Sequence, residues 1–190
     1  MSSRKNPESD PLNNWEGFYE ELQDETPRAA IILAGAFLDG LLSKLISTFL
    51  IADQKAVSEL LGTDGGDAPL SSFSSKIKAA YCLGLISRDE YDDLNLIRKV
   101  RNKFAHEMHG FSITDQHVVN WCNELKIPQK TLRGLKDFPT THAGKLLLGI
   151  ALLASQIALR TLSTEKQASP RNFETQQSIT AINQNHKTET

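Results

Sequence analysis

RDEYDDLNLIRKVRNKFAH, the stretch from Arg88 to His106, decides the class of fold. At about 100° per residue its side chains sort into two faces. Leu94, Ile97, Val100, Phe104 and, just beyond, Met108 fall on an apolar side. Asp92, Asn95, Lys99, Asn102, Lys103 and His106 fall on a polar one. Ser87 and Glu90 have the spacing of a capping box and predict the helix start. Asp89, Glu90, Asp92 and Asp93 near that start, with Arg98, Lys99, Arg101 and Lys103 near the end, complement the helix dipole. That order explains the basic cluster without nucleic acid. Asn102 and His106 stand one turn apart and can touch the same ligand.

Arg101 breaks the pattern, because its direction falls among Leu94, Ile97 and Met108. A guanidinium there must reach water or meet a carboxylate, since an unpaired buried charge is very costly. Two structural readings follow. Arg101 pairs with Asp39, the one acid in an otherwise apolar segment, or it extends to water past its aliphatic stem. A functional arginine stands beside them.

Working outward, Thr26-Pro27 marks a helix start, with Thr26 as N-cap and Pro27 in the first turn. The helix continues through Leu33, Phe37, Leu41, Leu45 and Phe49 and is apolar nearly all round at first, so it belongs at the centre of a bundle. A short helix spans Asp53 to Leu61, and Gly62 to Asp67 is a turn-rich loop. Another helix carries Phe73, Ile77, Ala80 and Tyr81 and ends at Gly84. Thr114 or Asp115 caps a helix with Val118, Trp121, Cys122 and Leu125, which Pro128 ends. Gln129 to Phe138 has no clear pattern. Thr140 or Thr141 opens a last long helix with Ala143, Leu147, Ile150, Ala154, Ile157 and Leu162 inside. Before it, a short helix with Trp15, Phe18, Tyr19 and Leu22 is expected. The class is all-α, a single-domain bundle of five to seven helices. Residues 1–13 read as a mobile segment, 14–165 as the helical domain and 166–190 as a disordered polar tail.

The 190-residue chain is long enough for one domain with a real core. Its net charge of −2 excludes a global field that attracts nucleic acid. Cys82 and Cys122 sit in apolar helical patterns and read as reduced core residues. The apolar runs Ala29–Leu38 and Leu146–Leu159 fall short of the ~20 residues of a membrane span. A soluble, cytoplasmic protein without a membrane partner is expected. His106 and His109, three apart with Glu107 between them, lack an evident third ligand, and Gly62 to Asp67 lacks calcium or phosphate-loop spacing, so neither metal nor cofactor is expected.

The segment from Ser74 to Ile86, with Tyr91-Asp92-Asp93-Leu94 and the stretch from Ile97 to His106, resembles the bacterial mannitol operon repressor family. The likeness runs from about Thr26 to Leu162. It implies a non-enzymatic regulator of transcription, acting directly or through a protein partner. The Arg101…His106 spacing also resembles the HEPN superfamily of all-α domains, many of them metal-independent ribonucleases that dimerise through this motif. On that resemblance Arg101, Asn102 and His106 are the catalytic residues. The chemistry is coherent: the ribose 2′-OH is the nucleophile, histidine moves a proton near neutral pH, and arginine stabilises charge on the phosphate. Both resemblances imply a homodimer. The acidic start of the motif helix would repel DNA, which favours a protein partner or RNA over direct operator readout. A third reading is a helical scaffold in which Arg101 and Asp39 are only structural.

Overall fold

The computed structural model describes residues 22, 25–63, 65, 67–106, 112–131 and 141–165. Among them are seven helices and no strand: α1 (Pro27–Phe49), α2 (Gln54–Leu61), α3 (Phe73–Cys82), α4 (Arg88–His106), α5 (Gln116–Glu124), α6 (Lys126–Thr131) and α7 (His142–Ser163). The expected segments 1–13 and 166–190, the helix around Trp15 to Tyr19, and most of Gln129 to Phe138 lie outside the described residues.

Most helix ends follow the local chemistry. Thr26 Oγ1 accepts from the Ala29 N–H at 3.3 Å and Pro27 occupies the first turn of α1. Asp53 caps α2 through the Ala56 N–H, and Gly62 closes it at φ 71°. Ser72 caps α3 through the Ser75 N–H. Gly84, also at φ 71°, lets the Leu85 N–H turn back to the Ala80 carbonyl at 2.8 Å, a Schellman-type stop. The capping box is formed: Ser87 N–H donates to Glu90 Oε2 at 2.6 Å, and Glu90 N–H donates to Ser87 Oγ at 3.3 Å. Of the two threonines expected to open α7, Thr141 does so, accepting from Gly144 N–H.

α1 is the centre, packed against α3, α4 and α7. Leu38, Leu41, Leu42 and Leu45 of α1 meet Leu94, Ile97 and Val100 of α4 and Leu153, Ala154 and Ile157 of α7 in one core, all inaccessible to solvent. Each large aliphatic side chain so buried contributes roughly 1.5–3 kcal/mol. By length and hydropathy α1 and α7 pass for membrane spans, and here they pack on each other inside the bundle.

Three expectations are corrected. Leu162, expected on the inner face of the last helix, is 75% exposed, because it lies in the last turn, beyond the core contacts of Leu153 and Ile157. Pro128 does not end a helix; it sits in the first turn of α6, where its missing N–H has no partner to lose. Leu125, at φ −60° and ψ 122°, makes the break instead. Cys82, the last residue of α3, is exposed, whereas Cys122 is buried as expected.

Candidate functional site

α4 divides into two halves with different chemistry. In its C-terminal half, Arg101 lies against α1. A Cβ placed on Gly35 would stand 2.7 Å from Arg101 Cγ and 3.3 Å from its Cβ. Only a glycine leaves room for the stem there, which is how an arginine sits on the apolar side of α4. The half-buried guanidinium donates from Nη1 to Asn102 Oδ1 at 2.9 Å. Its Nε is enclosed without a hydrogen-bond partner, as is the Nε of Arg98 one turn earlier.

Asp39 does not serve Arg101. It lies one turn beyond Gly35 on α1, and Lys76 of α3 fills its carboxylate, with Nζ 3.0 Å from each oxygen. Only the contact to Oδ2 has hydrogen-bond geometry, so Oδ1 is held by charge alone. Lys76 is 6% exposed, and it is Asp39–Lys76 that forms the ion pair in this part of the core. The structure therefore brings Arg101 and Asn102 together and gives Asp39 another cation. His106 ends α4 in an exposed position, and among the described residues no hydrogen bond joins it to Arg101 or Asn102.

The N-terminal half carries residues that periodicity passed over. Glu90 and Asp93 are 1% and 0% exposed. Glu90 completes the capping box and accepts from Arg160 of α7 at 2.9 Å. Asp93 accepts from the Lys126 N–H at 2.8 and 3.0 Å and from the Ile127 N–H at 2.8 Å, so a side chain of α4 caps α6. Burial pushes the Asp93 carboxyl above its ordinary range, and the two N–H groups pull it back. A sequence signal existed: Asp93, Ile97, Val100 and Phe104 follow one stripe, and an acid on such a stripe needs donors.

Asp89 and Asp92 are more open and form a lattice of charge. Lys130 holds the Asp89 carboxyl below its usual range, and Lys126 does the same for Asp92, with Arg88 assisting. Lys126 Nζ reaches Asp92 at 2.7 Å and is raised chiefly by that contact. Arg88 also lies 5.8 and 5.4 Å from the ring centres of Tyr81 and Tyr91, themselves 4.7 Å apart. Tyr91, Leu96, Lys99, Glu124 and Lys126 line an open groove beside this lattice. The acidic start of α4 is thus matched within the bundle by lysines and arginines that reading α4 alone did not find.

Chemically, the motif end offers a fixed guanidinium, an amide and a free-standing imidazole on a surface. Among the described residues no group of three His, Cys, Asp or Glu side chains is placed to hold a metal.

The mannitol repressor family model matches residues 16–161. The mannitol operon repressors of Escherichia coli strain K12 and of E. coli O6:H1 are each 35% identical over 60 residues, 32% of this chain and 31% of theirs. The matched span is about a third of the curated relatives' length. The X-ray structure of the MtlR–HPr complex from E. coli aligns with a TM-score of 0.50 at 23% identity, covering 78% of this chain and 96% of that one. At that identity the likeness speaks for the fold.

Proposed function

The chain belongs to the mannitol repressor family, and from that premise we propose that it is a non-enzymatic bacterial regulator that works by holding a protein partner. The observation that carries the reading is the seat of Arg101. Its stem packs on Gly35 and one guanidinium nitrogen is tied to Asn102, so the arginine of the motif is built into the α1–α4 contact. The partner follows from the solved relative, whose complex contains HPr; a protein of that kind is the partner proposed for this chain. In this reading the molecule acts in the cytoplasm, as a homodimer, and influences transcription through that partner. The short Gly84 turn between α3 and α4 superficially resembles a helix-turn-helix. The start of the second helix is an internally paired set of charges, Asp89 with Lys130 and Asp92 with Lys126, rather than a row of free cations for a phosphate backbone.

The ribonuclease reading draws on the Arg101–Asn102 hydrogen bond, with His106 exposed one turn further on. Mixed RNA incubated with purified protein in excess EDTA, beside His106→Ala, separates the two. No cleavage by either protein is expected. Cleavage by the unmodified chain that disappears in the variant would replace the regulator reading with a metal-independent nuclease.

A further inference from the structure

Most charges on and around α4 find a partner inside the bundle. Asp89 meets Lys130, Asp92 meets Lys126 and Arg88, Glu90 meets Arg160, and Asp39 of α1 meets Lys76. Arg98 and Arg101 differ. Among the described residues neither meets a carboxylate, and the Nε of each is enclosed without an acceptor. Both side chains are half-buried, so folding strips part of their hydration and no acid offsets the loss.

The two arginines lie three residues apart on one side of α4, which puts their Cβ atoms about 5–6 Å from each other. Asn102 follows Arg98 by one turn and joins that side. Its Oδ1 accepts from Arg101 Nη1 at 2.9 Å, so the end of the amide left to bond is the nitrogen, a donor. Arg101 is held by its stem on Gly35, and Asp39, one turn along α1, is already matched by Lys76. The cluster therefore offers donors and two positive charges, with its one acceptor oxygen spent internally. Its complement is a group that only accepts and carries close to two negative charges.

We propose that Arg98, Arg101 and Asn102 bind a phosphate dianion, either free or as the terminal group of a small phosphomonoester. Such a group carries about −1.5 to −2 at pH 7 on three acceptor oxygens. A guanidinium fork meets two of those oxygens at once. A carboxylate brings one charge to two cations. A phosphodiester chain also brings one charge per group and needs a row of free cations, whereas the lysines beside the start of α4 are held by Asp89 and Asp92. Because the Arg101 stem is packed into the α1–α4 contact, occupancy is coupled to the packing of those helices. The cluster takes in Arg98 and leaves out His106, so it is not the constellation of the ribonuclease reading, and it binds without cleaving. It is also independent of the protein-partner reading, and either can fail without the other.

Isothermal titration of the full chain with inorganic phosphate and, separately, with glycerol phosphate tests it, at about pH 7.5 where both are largely dianions and with ionic strength held constant by sodium chloride. Saturable one-to-one binding with Kd of about 0.1–1 mM is expected for at least one of them. Tighter binding of glycerol phosphate identifies the small ester as the source, and equal or tighter binding of phosphate identifies the free ion. Arg98→Gln is expected to weaken binding at least tenfold, with a ligand-free melting temperature unchanged or higher, since an unpaired charge is removed. Arg98→Lys keeps the charge, loses the fork and is expected to recover part of the affinity. His106→Ala is expected to bind like the parent. No saturation up to about 20 mM would overturn the proposal. Binding that Arg98→Gln leaves unaltered, or that His106→Ala abolishes, would also overturn it. Acetate bound as tightly as phosphate would overturn the phosphate assignment. An RNA oligonucleotide without a terminal phosphate that binds more tightly than either probe, and loses that binding in Arg98→Gln, would assign the cluster to nucleic acid and overturn the proposal as well.

Discussion

Replacing Asp93 with alanine removes the side chain that caps α6. Two N–H groups, those of Lys126 and Ile127, lose acceptors at 2.8–3.0 Å. An orphaned buried donor costs about 1–3 kcal/mol, and loss of an N-cap side chain typically about 1 kcal/mol. Against this, the variant no longer keeps a carboxylate out of water, a cost visible in the raised pKa of Asp93. The balance is a destabilisation of about 2–3 kcal/mol. For a chain of this size that lowers Tm by about 5–10 °C. Asp93→Asn keeps one acceptor oxygen and should cost about 1 kcal/mol. Urea unfolding followed by circular dichroism reads the first difference. Native-state hydrogen exchange at the Lys126 and Ile127 amides reads its location, with protection lost there before the rest of the domain. An alanine variant within about 0.5 kcal/mol of the parent would mean that Asp93 does not cap α6 in solution, because surface changes fall inside that range.

Gly35→Ala should destabilise by about 1–3 kcal/mol despite alanine's better helix propensity, since its Cβ meets the Arg101 stem at 2.7 Å. In the Arg101→Ala background the same change should be neutral or favourable, and a double-mutant cycle measures the coupling. Gly84→Ala should cost about 1–2 kcal/mol through backbone strain alone, because φ is 71° and no atom lies within 4 Å of the added carbon. In thiol titration at pH 8 the exposed Cys82 should react while Cys122, buried and pushed up to about 11, stays silent until denaturant is added. Asp89 and Asp92 titrate below 3.8 when folded, so the stability they add is complete above that pH and is lost as pH falls through their folded values. Asp93 has the opposite sign: between 3.8 and its raised folded value the native state binds more protons, so its contribution declines as pH rises. Asp92→Asn should therefore flatten the acid limb of a stability–pH curve.

Apart from α6, which was read as the end of α5, the described helices were legible because their ends are written locally. Thr26, Asp53, Ser87 and Thr141 each bind an N–H within three residues, and Gly84 stops α3 without tertiary help. The stripe from Leu94 to Phe104 identified the buried face of α4 for the same reason. Partners were not legible in the same way. Lys76 and Arg101 both approach α1, and which of them meets Asp39 depends on how α3 and α4 cross it. Gly35 admits the Arg101 stem, and as one of two glycines in an apolar helix it carries no mark of what packs upon it. Asp93 was hidden because the N–H groups it binds belong to a helix 33 residues away in sequence, one that opens with Pro128 in its first turn.

The proposed action through a protein partner stands or falls on binding. Isothermal titration of the purified chain with HPr from its own organism, run on the parent and on His106→Ala, tests it most directly. Saturable one-to-one binding of both proteins with matching affinity is expected, because in this reading the imidazole has no part in it. Absence of heat at concentrations up to about 100 µM, confirmed by co-sedimentation, would contradict it.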